Sequence, residues 1–359
     1  MKYSLLIAAL LLSPGVAAQP VTAAGFIADY AEAHDFNGSI LIQEQGRISY
    51  ATSFGLANIP FKVPNTTQTR YKIASITKLF TAVLILQLVD QDRLDLDEPV
   101  STYLPDYAGS GAETITVHEL LNHTSGLPNF DAVKDAETAI QHGLPVYQLP
   151  HTSNELLESF SNRGLVNVPG EVFDYNNGDY IVLGKIIERI HGKPFDQVLR
   201  EQILQPLRLD DTGMLRQSEI VERLADTYFY REDLKVLAND LPVYPENWYA
   251  AGAMYSTAND ILTFANALFG AKLVRPETLR KMLEPGLDDY GYGLWSYRTT
   301  INGKKTSAAK RPGRIMGAQS QLYRLSEYDI TIVILSNTGT TDLDEFVAEI
   351  GKRVADAGR

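Results

Sequence analysis

Ser75-Ile76-Thr77-Lys78 puts a hydroxyl and an amine three residues apart. On a helix, positions i and i+3 share a face one turn apart. A serine hydroxyl is a poor nucleophile until a base takes its proton. A lysine one turn away can be that base if burial or neighbouring positive charge lowers its pKa. A helix N-terminus adds a partial positive charge that favours a nearby oxyanion. The residues that follow, Leu79, Phe80, Val83, Leu84, Ile85, Leu86 and Leu88, are apolar nearly all round, so a lysine in the first turn calls for a reason. The four-residue pattern by itself is weak, because an N-cap serine with a snorkelling lysine is the commoner reading. A second copy, Ser307-Ala308-Ala309-Lys310, lies in a segment of strand or loop character, where serine and lysine need not share a face.

The stretch Pro169-Gly170-Glu171-Val172-Phe173-Asp174-Tyr175-Asn176-Asn177 follows a turn and precedes a helix-like run from Tyr180 to Ile190. A tyrosine beside Lys78 could share proton transfer, and an asparagine could orient a substrate amide. Tyr175-x-Asn177 is the only Tyr-x-Asn in the chain. Read alone, it serves equally as a turn in which Asn177 and Gly178 supply permissive backbone. His118-Glu119-Leu120-Leu121-Asn122-His123 is only superficially like a metalloprotease helix, since its histidines stand at i and i+5 and do not share a face. No Gly-x-Ser-x-Gly elbow, P-loop or Gly-x-Gly-x-x-Gly occurs, which argues against an α/β-hydrolase and against nucleotide cofactors. No cofactor is expected and no metal ligand is assigned. The aromatic residues Tyr228, Phe229, Tyr230, Tyr244, Trp248 and Tyr249 either wall a substrate pocket or are ordinary core and surface aromatics.

The elements that must position these groups show in the periodicity. Residues 21–35 carry Phe26, Ile27, Tyr30 and Ala33 at helical spacing. Ser39 to Glu44 and Arg47 to Ser53 form two strand-like runs around Gln45-Gly46, a hairpin. A long helix runs from about Ser75 to Asp90, and residues 116–290 are mostly helical pieces broken by Pro and Gly. Thr116-x-x-Glu119, Thr257-x-x-Asp260 and Thr341-x-x-Asp344 read as helix starts. Strand character returns at Tyr292–Thr299, Ser320–Leu325 and Ile330–Ser336. The last is nearly continuous in apolar residues and is expected to be covered on both faces. The N-terminal helix and a C-terminal helix, Asp342–Ala357, are the natural covers. The fold class expected is α/β (α+β). An antiparallel sheet lobe is assembled from residues 19–70 and 285–359, and residues 71–284 form a mostly helical lobe, with the site between them.

The chain has 359 residues, 45% of them hydrophobic, with 32 Lys+Arg against 44 Asp+Glu and no cysteine. That length supports two or three lobes with ample core. The net charge of −12 argues against a nucleic-acid partner, and no basic run reverses it. Without cysteine there is no disulfide, zinc ribbon, thiol nucleophile or lipidated anchor. Lys2, the apolar run Leu5 to Leu12, and Val16 and Ala18 before Gln19 read as a secretory signal peptide over residues 1–18. An exported, periplasmic or secreted protein without a stable membrane anchor is expected. Its oligomeric state is not legible.

At this point the chain resembles the serine β-lactamase/penicillin-binding protein superfamily, in its class C-like branch of β-lactamases, D-Ala-D-Ala carboxypeptidases, D-aminopeptidases and family VIII esterases. The resemblance spans nearly the whole mature chain. It rests on Phe36-Asn37-Gly38-Ser39-Ile40-Leu41-Ile42, on Tyr71-Lys72-Ile73-Ala74-Ser75-Ile76-Thr77-Lys78, on Leu88 to Pro105 and on His118 to Pro128. It continues through Ala251 to Asp260 and Val333-Ile334-Leu335-Ser336-Asn337. It implies a β-lactamase/transpeptidase-like fold, with Ser75 as nucleophile, Lys78 and Tyr175 as a shared proton relay, and Asn177 as a substrate-positioning residue. The family's third motif, usually Lys-Thr-Gly or His-x-Gly, is matched by Arg311-Pro312-Gly313-Arg314, a departure. Arg311 keeps its proton and contributes only charge and a bidentate fork. It suits a substrate carboxylate, or lowering the pKa of Tyr175 or Lys78. Gly313 keeps the close approach, and the resemblance makes the N–H of Arg314 the second oxyanion donor beside that of Ser75. Alternatively, Arg311 and Arg314 are solvated surface charges. The expectation is a serine hydrolase acting through an acyl-enzyme on a small-molecule or short-peptide ester, amide or β-lactam. The alternative is a penicillin- or peptidoglycan-recognising binding protein with little or no turnover.

Overall fold

A computed structural model describes residues 23–131, 136–301 and 303–357. The leader-like residues 1–18 therefore lie outside the described residues. Helix α1 (Ala23–Ala33) leads into the hairpin β1 (Gly38–Glu44) and β2 (Arg47–Phe54). Next come the buried helix α2 (Thr77–Asp90), α3 (Asn177–His191) and α4 (Ala258–Phe269). The chain ends with β3 (Trp295–Ile301), β4 (Lys304–Ile315), β5 (Ala318–Leu325), β6 (Ile330–Ser336) and α5 (Leu343–Ala357).

The two ends of the chain share one six-stranded sheet in the order β3-β4-β5-β6-β1-β2. Every pairing is antiparallel, and β1 meets β6 from Gly38 opposite Ser336 to Glu44 opposite Ile330. All seven residues of β6 are buried, as the unbroken apolar run requires. The period of two divides them between two cores. Ile330, Ile332 and Ile334 pack with Ile27, Phe346, Val347 and Ile350 beneath α1 and α5. Val333 and Leu335 face the helical side, in one core with Leu79, Phe80 and Phe264.

Helix α2 is buried from Thr77 to Leu86 and again at Leu88. Phe80 stacks on Phe264 of α4, centroids 3.8 Å apart. A helix so enclosed cannot drift, and that rigidity fixes the groups at its start. It begins two residues later than the periodicity suggests. Ala74–Ile76 forms a 3₁₀ turn, and α2 follows from Thr77.

The expected capping box at Thr116–Glu119 is present, and Thr257 caps α4. Thr341 does not cap α5. Asp342 takes that place, its carboxylate accepting from the N–H groups of Asp344 and Glu345, because an ionised acceptor at a helix N-terminus is favoured by the dipole as well. The middle of the chain also holds strands that the helical reading passed over. They are the hairpin Tyr228–Arg231 with Val236–Asn239, and a small sheet joining Tyr71–Lys72, Met254–Ser256 and Gly213–Met214.

The outer core depends on the two terminal helices meeting. Tyr30 of α1 stacks on Phe346 of α5, centroids 4.2 Å apart, and Phe346 is fully buried. Replacing a buried Phe by Ala typically costs about 3–5 kcal/mol. Phe346→Ala is expected to lose that much stability in urea unfolding; a loss below about 1 kcal/mol, the size of an ordinary surface change, would contradict this role.

Candidate active site

The 3₁₀ turn at Ala74–Ile76 presents Ser75, and its backbone is strained. Ala74 has φ +47° and is completely buried. A non-glycine residue there costs about 1–3 kcal/mol and persists only where its surroundings over-determine it. Here the Ile73 N–H donates to Met254 O at 3.0 Å, and the Thr77 hydroxyl donates to Ala74 O at 2.7 Å. The first ties the turn to the strand Met254–Ser256, and the Met254 N–H donates back to the Thr77 hydroxyl at 3.3 Å.

Lys78 is in the first turn of α2 and is 0% exposed. Its Nζ donates to Ser75 Oγ at 3.3 Å, to Asn177 Oδ1 at 2.7 Å and to Ala251 O at 2.9 Å. Burial lowers the pKa of this amine, and the Arg311 charge lowers it further. That is the condition under which a lysine can act as a base.

Tyr175 enters from the loop before α3. That loop is pinned on both sides, since Asp174 N–H donates to His123 O at 2.9 Å and Asn176 Nδ2 donates to Leu127 O at 2.8 Å. Asn176 also caps α3, accepting from Gly178 N–H. The Tyr175 hydroxyl consequently reaches Ser75 Oγ at 2.9 Å, and Asn177 begins the helix. Burial alone would raise the pKa of Tyr175. The charges of Arg311 and Lys78, with hydrogen bonds from Lys78 and Ser75, overcome it and lower the phenol to about 8.

Arg311 is 1% exposed. Its Nε donates to Ser75 O at 2.7 Å, Nη1 to the Tyr290 hydroxyl at 2.9 Å and Nη2 to the Tyr175 hydroxyl at 2.5 Å. Its guanidinium carbon is 5.4, 6.0 and 5.7 Å from the ring centres of Tyr175, Tyr290 and Trp295, cation–π distances. All three nitrogens are engaged by the protein, so the expected fork for a substrate carboxylate is not offered. Nor is Arg311 a solvated surface charge. The geometry matches the other option, a fixed positive charge on Tyr175.

Two residues along β4, a Cβ added to Gly313 would be 2.4 Å from Ser320 Oγ, 2.6 Å from Ile73 O and 2.9 Å from Ser75 N. Only glycine lets the strand lie this close to the serine. β3 pairs with β4 only as far as Lys310, so the edge beyond is open. Pro312 has no N–H to donate, which suits an open edge. By the alternation of an antiparallel strand, the N–H of Arg314 faces the same side. The Arg314 side chain is exposed, and its guanidinium lies beside Gly339, in an outer groove with Asp342 and Asp344.

Six of the seven residues singled out from the sequence thus converge, Ser75, Lys78, Tyr175, Asn177, Arg311 and Gly313; of Arg314, only the backbone faces the site. Ser307 and Lys310, the second copy of the Ser-x-x-Lys pattern, lie an odd number of positions apart in β4 and so on opposite faces. Of the middle-lobe aromatics, Trp248 reaches the site's surroundings, stacked at 3.7 Å on Tyr147, whose hydroxyl donates to Asp131. Tyr249 packs on Phe195 instead. The paired histidines diverge. His118 meets the Tyr292 hydroxyl, whereas His123 is buried against Asp179 at 2.8 Å and packs on the ring of Tyr175. Tyr290, Trp295, Asp131 and Tyr147 were missed. They come from separate stretches, and no spacing pattern marks them.

The family model for beta-lactamase matches residues 23–356. The penicillin-binding protein from Bacillus halodurans superposes with a TM-score of 0.79 at 27% identity, over 90% of this chain and 99% of that one. D-amino acid amidase from Ochrobactrum anthropi SV3 superposes with a TM-score of 0.80 at 26% identity, over 94% of this chain and 99% of the amidase. Putative penicillin-binding protein PbpX of Bacillus subtilis (strain 168) is 30% identical over 75% of this chain and 64% of its own length. Teichoic acid D-alanine hydrolase of Staphylococcus aureus is 28% identical over 76% of this chain and 65% of its own. The chain thus spans a little under two thirds of the length of these two relatives. A family match over almost every described residue places the protein in the beta-lactamase family, within the serine β-lactamase/penicillin-binding protein superfamily.

Proposed function

We propose that this is an exported serine hydrolase that forms an acyl-enzyme at Ser75 with an ester, amide or β-lactam. One observation carries the reading: Ser75 Oγ has the Tyr175 hydroxyl at 2.9 Å and Lys78 Nζ at 3.3 Å, two groups whose pKa values are both lowered. The export part rests on the leader-like residues 1–18. Among the described residues, no helix is long and apolar enough to cross a membrane.

In this mechanism Ser75 Oγ attacks the substrate carbonyl carbon while its proton passes to Tyr175 or Lys78. The carbonyl oxygen becomes an oxyanion held by the N–H groups of Ser75 and Arg314. The bond to the leaving group breaks as the proton returns to that group. Water, deprotonated by the same pair, then releases the acid and restores Ser75. Asn177 orients the acyl part. Arg311 moves no proton, because a guanidinium stays charged; it keeps Tyr175 acidic enough to act near neutral pH.

The direct test is intact-mass detection of an acyl adduct after mixing with a chromogenic cephalosporin, a short-chain p-nitrophenyl ester and a D-Ala-D-Ala peptide. At least one adduct with turnover, absent in Ser75→Ala, is expected. No adduct and no turnover with any of the three would overturn the hydrolase reading and put a binding role ahead. An adduct that never turns over would do the same.

The pH dependence has a defined sign. Tyr175 accepts a proton only when ionised, so kcat/KM should rise with pH and level off above about 8. Arg311→Gln removes the charge that lowers the phenol, so the rising limb should move to higher pH and activity at pH 7 should fall. An unmoved limb would contradict the role given to Arg311. For the oxyanion site, Gly313→Ala is expected to cost about 10²–10³-fold in kcat, the loss typical of one misplaced oxyanion donor. A steady-state assay showing less than about a tenfold loss would contradict the close approach.

A further inference from the structure

We infer that Asp179 is a carboxylic acid rather than a carboxylate in the working protein, and that with His123 it forms an uncharged pair that positions the Tyr175 phenol. Both are then positioning residues for the reaction proposed above. Only that role, not the assignment of the proton, rests on the hydrolase reading.

The two side chains are fully buried, and neither takes part in the steps described above. Asp179 is in the first turn of α3, and His123 follows the short helix Val117–Leu121. They meet through His123 Nδ1 and Asp179 Oδ2 at 2.8 Å. Their other contacts fix which of them holds the proton. The Asn176 N–H also points at His123 Nδ1, at 3.3 Å. That nitrogen is therefore an acceptor, because an N–H cannot accept from another N–H. The donor at 2.8 Å is then Asp179 Oδ2, and only a protonated carboxyl can donate. The second oxygen agrees. The Leu127 N–H donates to Ser125 Oγ at 3.1 Å, which leaves the Ser125 hydroxyl to donate to Asp179 Oδ1 at 2.5 Å. One carboxyl oxygen accepts and the other donates, as in an acid. Neutral His123 carries its own proton on Nε2. Among the described residues that atom has no hydrogen-bond partner, and its ring lies among those of Phe173, Tyr180 and Tyr290.

The surroundings favour the same assignment, since burial penalises both charged forms. It raises the Asp179 carboxyl well above the usual range, with a push from Asp174 and against the pull of the Lys78 charge. It lowers His123 well below its usual value, and the charges of Lys78 and Arg311 lower it further. Burial also keeps the phenols of Tyr107, Tyr180 and Tyr290 protonated. Tyr175 feels the pair in two ways. The His123 ring packs on its ring, centroids 4.4 Å apart, and His123 O and Nδ1 accept from the N–H groups of Asp174 and Asn176, on either side of it. An uncharged Asp179 also leaves the fields of Arg311 and Lys78 on the phenol undiminished, where a carboxylate would oppose them.

Asp179→Asn puts a neutral amide where the acid stood, with an N–H for His123 Nδ1 and an oxygen for Ser125. Infrared difference spectra of wild type minus Asp179→Asn, taken without substrate at neutral pH, should show the C=O stretch of a protonated carboxyl group. A difference holding only carboxylate bands would overturn the inference. In a steady-state assay with the most reactive acyl donor, the rising limb of kcat/KM in Asp179→Asn should stay where the wild-type protein has it, because no charge is lost. A limb moved down by about one pH unit or more, the tenfold effect of removing an opposing anion, would contradict the uncharged pair. Positioning is read from Asp179→Leu, which can donate nothing. Its kcat should fall at least about tenfold below that of Asp179→Asn; equal values in the two variants would overturn the positioning role. Should neither variant fold, carbon-13-labelled aspartate in the wild-type protein decides, and the absence of any protonated aspartate band overturns the inference. The infrared arm uses no substrate, so its failure leaves the hydrolase reading standing, and a protein that never acylates Ser75 leaves the proton assignment standing.

Discussion

A guanidinium with almost no access to water stands at the centre of this site, and among the described residues no carboxylate is paired with it. Burying such a charge costs several kcal/mol unless its surroundings answer it. Arg311 is answered by three oxygens, Ser75 O, Tyr290 Oη and Tyr175 Oη, and by three aromatic faces. Of the three oxygens, only the two phenols can become anionic. Tyr290 is pushed upward by burial, whereas Tyr175 is pulled down to about 8. The difference is Lys78, which donates to Ser75 and stands over the Tyr175 ring at 4.9 Å. Two cations flank one phenol, and the resulting acidity is turned on the serine between them.

The fold serves that juxtaposition. Ser75 and Lys78 come from the start of a helix sealed in the core, Tyr175 and Asn177 from a loop and helix start pinned to His123 and Leu127, and Arg311 and Gly313 from a strand near the chain's other end. The strand reaches the serine because both ends of the chain pair into one sheet through β1 and β6. Arg311 and Gly313 share a strand face by the period of two, so the charge and the close approach arrive together. Pro312 between them removes an N–H where the strand has no partner on that side. What looks like a damaged motif is therefore a consistent one. Its positive charge is buried and acts on the relay.

Much of this was legible in the residues. The split sheet, the doubly covered strand at Ile330–Ser336, the buried helix after Ser75 and six of the seven site residues follow from periodicity, motif spacing and family resemblance. What was not legible has physical causes. The 3₁₀ turn at Ala74–Ile76 is imposed by tertiary hydrogen bonds to Met254 and has no local signal. Asp342 displaces Thr341 as a cap because the choice between adjacent acceptors depends on how the helix enters. The direction of Arg311 depends on Tyr290 and Trp295, and the environment of Asp131 on Tyr147 and Trp248. None of these sits at a fixed spacing from the motif it completes.

The central claim is that Arg311 holds the Tyr175 phenol near neutral acidity. Ultraviolet titration measures it directly, as the phenolate absorbance of the protein minus that of Tyr175→Phe, taken across pH with the fold monitored in parallel. The account predicts one tyrosine ionising near pH 8 in that difference, and its upward displacement in an Arg311→Gln background. A Tyr175 phenol that ionises at or above the ordinary value of about 10, unchanged by the loss of Arg311, would contradict it.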